Sequence, residues 1–258
     1  MNELKQTFGE HLEVLRKMLI RILVLVIIIT GLIFCYKETI FNLVLAPCNG
    51  DFVTFNFIRN LFSPFFDSNN LFENNINLIT TDISSQFVNH ITISLYLGFL
   101  VASPFVLYEL MKFIAPALYA KEKKYAAMML VSAYLLFCIG LLVSYYILFP
   151  ISSRFLITYN VSPIVTTMAT LDSFISLFIS LSFLLGIVFE MPILCFILCK
   201  MGILNELLMI KYRKYAFVLI LVMAAIITPS DIIMTQVIVA LPLYFLYEIS
   251  IKVIKMAK

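Results

Sequence analysis

Glu190 is the first residue whose placement demands chemistry, because it stands alone in the long apolar run Ser173–Cys199. At the centre of a lipid-embedded helix a carboxylate costs about 2.5–3.5 kcal/mol even on the mild insertion scales. Two readings are open: a structural polar clamp bonded to a neighbouring helix, or an acid turned toward a cavity or a partner helix. Pro192 follows at once, frees the carbonyl of Val188 and predicts a kink beside the acid. Cys195 and Cys199 share a helical face, yet a soft metal would need further ligands, and a buried Cys usually serves as a small hydrophobe. His11 and His90 fall on opposite sides of the membrane. No His-Glu-x-x-His pair, Gly-rich phosphate loop or Ser/His/Asp arrangement at membrane depth can be assembled. Cys48 is isolated in a long loop, which leaves no obvious disulfide framework. The chain therefore reads as a non-enzyme without metal or cofactor. Glu122, set among Lys121, Lys123 and Lys124, reads on its own as a solvated acid trimming a basic patch.

The elements that must hold these groups are membrane spans. Of the 258 residues 62% are hydrophobic and 13% charged, with a mean hydropathy of +1.04; soluble domains average roughly 45–50% apolar and about 25% charged. Lipid must be part of the solvent. Apolar runs place spans near residues 18–36, 91–114, 125–149, 173–199, 215–227 and 232–251. A crossing needs about 20 residues, so the last pair is short. The polar turn Thr228–Pro229–Ser230–Asp231 favours two true spans in a thinned bilayer over a re-entrant hairpin. Pro104 and Pro242 add bends to the one at Pro192. The expected fold is all-α and polytopic: six transmembrane helices in a curved, concave bundle, forming one domain.

Charge orients it. Of 18 Lys and Arg, all but Lys37, Arg59 and Arg154 fall on one side of these spans, and seven acids occupy the other. By the positive-inside rule both termini are cytoplasmic. Glu3, Glu10 and Glu13 precede the first span and no small-residue cleavage site follows it, so it reads as a retained anchor. Residues 37–90 form the one long exported connection; ten Asn and nine Phe predict an ordered cap, since a disordered loop is poorer in aromatics. Within it Ile76–Thr81 has strand character and Ser84–His90 leads helically into the second span. No internal repeat is visible, which weighs against a transporter built of symmetric halves. A net charge of +3 gives no sign of a nucleic-acid partner.

Many short stretches, in one order, resemble the TatC family, the multi-spanning subunit of the twin-arginine protein translocase. They include His11-Leu12 with Leu15-Arg16, Ala46-Pro47, Ser103-Pro104-Phe105, Phe113-Ile114-Ala115-Pro116-Ala117-Leu118-Tyr119, Glu122-Lys123-Lys124, Phe149-Pro150, Gly186 with Phe189-Glu190 and Pro192, Arg213-Lys214-Tyr215, Thr228-Pro229 with Asp231, Ala240-Leu241-Pro242 and Leu246-Tyr247-Glu248.

The resemblance implies a receptor in the bacterial cytoplasmic (inner) membrane that binds twin-arginine signal peptides of folded cargo. It would recruit TatA/TatB-type single-span partners, self-associate in a larger complex and use the protonmotive force. It implies signal-peptide roles for Glu122, Glu10, Glu13, Arg16 and Phe113, a partner-helix contact at Glu190, and turn positions at Pro47 and Asp231. A carboxylate meets a guanidinium in a planar bidentate fork that an ammonium cannot copy, which fits a demand for arginines. Asp231 could equally cap the last helix. The family pattern has an acid where this chain has Val14; Glu13, one place earlier, points about 100° away on a helix, and Glu10 can share its task. The competing class is a proton-coupled small-solute transporter using Glu190. It would require further polar groups inside neighbouring spans, and only Glu109 and Glu248 lie near, at the cytoplasmic ends.

Overall fold

A computed structural model describes residues 8–62, 76–114, 126–159, 162, 168–200, 202–227 and 233–256. Helix dominates because a backbone in lipid must satisfy its amides and carbonyls within its own segment. Leu12–Phe34, Ser85–Phe113, Met129–Thr158 and Leu171–Cys199 are long and apolar enough to cross a membrane. Helices α1 (Phe8–Phe34) and α4 (Ser85–Ile114) form the most extensive pair in the fold. They run antiparallel: Arg21 meets Glu109, Thr30 meets Gly98, and Phe34 stacks on His90. Gly98 permits this approach, since a side chain there would run into Thr30. The opposite face of α1 presents Leu19, Ile20, Leu23 and Ile27 outward.

Between α1 and α4 in sequence, the described part of the cap comprises α2 (Lys37–Leu45), a 3-10 turn Ala46–Cys48 and α3 (Val53–Phe62); residues 63–75 of the expected cap lie outside the described residues. It packs on the third apolar rod, which comprises α5 (Ala126–Val143), a π turn Ser144–Leu148 and α6 (Phe149–Thr158). The rod runs on past Phe149-Pro150, where the sequence suggested an end. Pro150 has no N–H to offer the Tyr146 carbonyl, and that carbonyl instead accepts a hydrogen bond from the Thr54 hydroxyl of the cap. Phe52 stacks on Tyr146 with ring centroids 5.9 Å apart, and Tyr145 Oη donates to the Leu43 carbonyl at 2.7 Å. The strand expected at Ile76–Thr81 reduces to one parallel bridge, Ile79 to Thr170. The Ile79 amide donates to Ala169 and its carbonyl accepts from Leu171, at 3.0 and 2.9 Å. No neighbouring segment among the described residues extends the ladder. The expected helical lead at Ser84–His90 is the start of α4.

The fourth apolar stretch is two helices, α7 (Leu171–Phe189) and α8 (Met191–Lys200), meeting at Glu190. Phe149, Phe174, Phe178, Leu181 and Leu185 form the centre of the main core, with Val239 and Leu243 from the last helix. After the short α9 (Glu206–Lys211), helices α10 (Arg213–Ile227) and α11 (Ile233–Met256) pack antiparallel. Gln236 Nε2 donates to the Leu221 carbonyl at 2.9 Å, Tyr244 meets Phe217 edge-on, and Glu248 meets Arg213. The turn between them, with Asp231, lies outside the described residues. Pro104 and Pro242 both sit within unbroken helices.

Candidate functional site

At the basic end, α1 carries several of the expected residues and α4 carries one. Glu13 and Lys17 pair at 2.8 Å across one helical turn, both largely exposed, and Arg16 and Val14 are exposed beside them. Phe113 is half-buried at the end of α4. Glu10 falls in the first turns of α1, but its side chain lies outside the described positions, and Glu122 lies outside the described residues altogether. One turn deeper along each helix, past Lys17 and before Phe113, sits a pair the sequence did not reveal: Arg21 Nη1 is 3.1 Å from Glu109 Oε1, with the Glu109 side chain only 4% exposed and that of Arg21 48% exposed. Arg21 Nε also donates to the Lys17 carbonyl at 3.3 Å. Arg213 and Glu248 make the equivalent tie between α10 and α11 at 2.8 Å. The available signal was an Arg and an acid, each stranded in an apolar run near the same end of the bundle.

Glu190 occupies the joint between α7 and α8. Its amide turns back to the Ile187 carbonyl at 3.1 Å, and its carbonyl accepts from Ile193 and Leu194 at 3.1 and 3.0 Å. The break falls where Pro192 removes the bond to Val188. The Oε1 atom of Glu190 is buried without a hydrogen-bond partner among the described residues. Cys195, one turn further, packs with Met209, Tyr247, Ile251 and Ile254.

A cleft of about 1050 Å³ runs along α7 from Thr170 to Val188, within one turn of Glu190, and Ser173, Ser176, Ser180, Phe183 and Met223 line it. Such a trough can hold an apolar segment while offering a few hydroxyls. At its cap end Asp172 accepts hydrogen bonds from Ser85 Oγ at 2.6 Å and Asn89 Nδ2 at 2.8 Å; this cluster too was unforeseen. Pro47 is fully buried in the cap. Burial pushes the neighbouring Cys48 thiol up to about 11, against the opposing pull of Arg154. His90 is buried against the Phe34 ring with centroids 4.0 Å apart.

Long apolar helices and a half-buried acid at the joint of a broken span define an all-α polytopic membrane protein. Comparison with known proteins carries this further. The chain belongs to the TatC family: residues 10–242 match the model for the Sec-independent protein translocase protein. It is 34% identical to TatC of Blattabacterium sp. subsp. Periplaneta americana, over 95% of this chain and 93% of that one. TatC of Escherichia coli K12 is 31% identical over 93% of this chain and 85% of its own. A crystal structure of the twin arginine translocase receptor TatC matches with a TM-score of 0.76 and 34% identity, covering 96% of this chain and 99% of that one. The protein is thus a multi-pass component of the Sec-independent protein translocase, and it belongs to a family of translocase components that are not enzymes.

Proposed function

We propose that this chain is the receptor subunit of the twin-arginine translocase, set in the bacterial cytoplasmic membrane with six spans and both termini in the cytoplasm. The observation that carries the reading is its likeness, over 96% of its length, to a solved structure described as a twin arginine translocase receptor. Helices α10 and α11 are the last pair of spans; α11 has 24 residues, enough for a crossing, and only the 15 residues of α10 are short. Their antiparallel packing from Arg213–Glu248 to Leu221–Gln236 supports that role. Glu122, with Glu10 and Glu13, receives the two arginines of the signal peptide, while Arg16 holds the acids and Phe113 contacts the peptide. Glu190 and the concave side of the bundle recruit TatA/TatB-type single-span helices. Transport of the folded cargo draws on the protonmotive force, in an assembly of several such subunits.

The test is binding of a fluorescent twin-arginine signal peptide to the full chain in lipid nanodiscs. A charge-assisted pair contributes roughly 1.5–3 kcal/mol, so Glu122→Ala should weaken binding by about ten- to a hundredfold. Glu122→Gln should be nearly as harmful, because the charge matters. Undiminished binding by Glu122→Ala would sink the assignment.

A further inference from the structure

We propose that Arg21 and Glu109 are a positioning pair for the signal-peptide site, fixing the acid-bearing start of α1 against the end of α4. The proposal rests on the receptor reading above and names what holds that site in register. The proposed peptide contacts on described helices come from two of them: Glu10, Glu13 and Arg16 from α1, and Phe113 from α4. The Gly98–Thr30 approach and the Phe34–His90 stack set the register of the two helices farther along, two turns or more from the ends that carry these contacts. The ion pair ties those ends themselves. Glu109 is 4% exposed and its carboxylate meets Arg21 at 3.1 Å, and a buried carboxylate left without its cation is strongly disfavoured. The guanidinium is itself aimed by its own helix, through Nε to the Lys17 carbonyl at 3.3 Å. The ammonium of that same Lys17 holds Glu13 at 2.8 Å. A connected series therefore runs from Glu13 through Lys17 and Arg21 to Glu109, one turn before Phe113. Bidentate guanidinium recognition depends on geometry, whereas an ammonium is a point charge that tolerates misplacement. Loosening the pair should erode the preference for arginines over lysines as well as affinity.

The experiment measures Kd of the full chain in nanodiscs for a twin-arginine signal peptide and for its twin-lysine counterpart. Variants are Glu109→Gln, Arg21→Gln, Arg21→Lys and the exchange Arg21→Glu with Glu109→Arg; chromatographic homogeneity and melting temperature report the fold. Each neutral variant should lose at least about fivefold in twin-arginine binding and lower the arginine-to-lysine ratio, and the exchange should recover both to within about twofold. Arg21→Lys keeps the charge and the fold but not the aimed fork, so it should lose discrimination more than affinity. Single variants that bind and discriminate like the unaltered protein overturn the proposal, as does an exchange no better than the singles. Glu122→Ala in the same series separates the two failures. If it binds normally, the receptor site itself is misassigned; if it alone loses binding, only the positioning role falls.

Discussion

Gly140 of α5 lies against Leu185 of α7 so closely that a methyl group at 140 would sit 2.7 Å from the Leu185 carbonyl oxygen and 2.9 Å from Cγ of Phe189. Gly186 reciprocates: a methyl there would meet the Phe137 ring at 2.7 Å. Small residues let helix backbones approach in lipid, where no hydrophobic force draws them together. The third and fourth apolar stretches thus touch one turn before Glu190, and the crossing sets where that acid is held. Gly140→Ala should destabilise the protein by about 1–3 kcal/mol, as overpacking does, read as a lowered melting temperature in detergent. Gly31→Ala is the control: nothing lies within 4 Å of its added carbon, and Ala in place of Gly in an exposed helix interior is favoured by roughly 0.8–1 kcal/mol. Equal losses from both substitutions would refute the close-approach account.

Asp172 should matter at the cap end. It accepts from Ser85 and Asn89, joining the first turns of α7 and α4, and Asn89 Nδ2 also lies 3.2 Å from Ser85 Oγ. Asp172→Ala leaves both donors to each other and should lower the melting temperature, because Ser85 and Asn89 are buried and lose their acceptor. Asp172→Asn keeps one acceptor and should cost less. Thermal melting of the two variants in the same detergent checks the order, and an equal or reversed order would count against a hydrogen-bonding role.

The sequence made the long elements legible because lipid leaves so few choices. The break in the fourth span could be read from Pro192, and the helical entry to the second from Ser84–His90. Contacts between elements were hidden, the Asp172 cluster among them. Where the third rod runs on past Pro150, the carbonyl the proline abandons is taken by Thr54, nearly a hundred residues away in sequence. The strand at Ile76–Thr81 had the right residues but one partner residue. Glu109 and Glu248 looked like incidental acids near helix ends, and only antiparallel pairing of α1 with α4 and of α10 with α11 puts an arginine beside each. Local pattern reports an element and its lipid exposure; which groups meet across elements is decided by packing. The acids Glu122 and Asp231, named by family resemblance, lie outside the described residues.

Cys48 offers a pH-dependent readout of the cap. Burial holds its thiol at about 11, above the ordinary 9.0, and only the thiolate is an effective nucleophile. In the folded protein labelling by a small maleimide should be slow at neutral pH and should accelerate until the pH passes the raised value. Denatured chain should reach its plateau about two units earlier, by the difference between those two values. Rapid labelling of folded protein at pH 7.5, mapped to Cys48 by mass spectrometry, would show the cap open there.

The last expectation concerns Glu190. Its backbone makes the joint: the amide bonds to Ile187 and the carbonyl receives Ile193 and Leu194, while Pro192 forces the interruption. None of this uses the carboxyl, whose Oε1 atom is buried and without a hydrogen-bond partner among the described residues. Removing the side chain should therefore spare the fold, and on the reading proposed above the acid serves a group of a partner helix. A polar residue of a single-span partner helix can meet it, and Gln can make much the same hydrogen bonds as a carboxyl. Glu190→Gln should then retain much of the transport, while Glu190→Ala should lose partner recruitment with signal-peptide affinity largely unchanged. Intramembrane hydrogen bonds average about 0.6 kcal/mol and reach roughly 1.7, so the loss in partner affinity should be about three- to twentyfold. Site-directed crosslinking to the partner and peptide binding, measured on the same membranes, separate the two roles. Lost peptide binding with partner crosslinks intact would mean that Glu190 belongs to the peptide site instead.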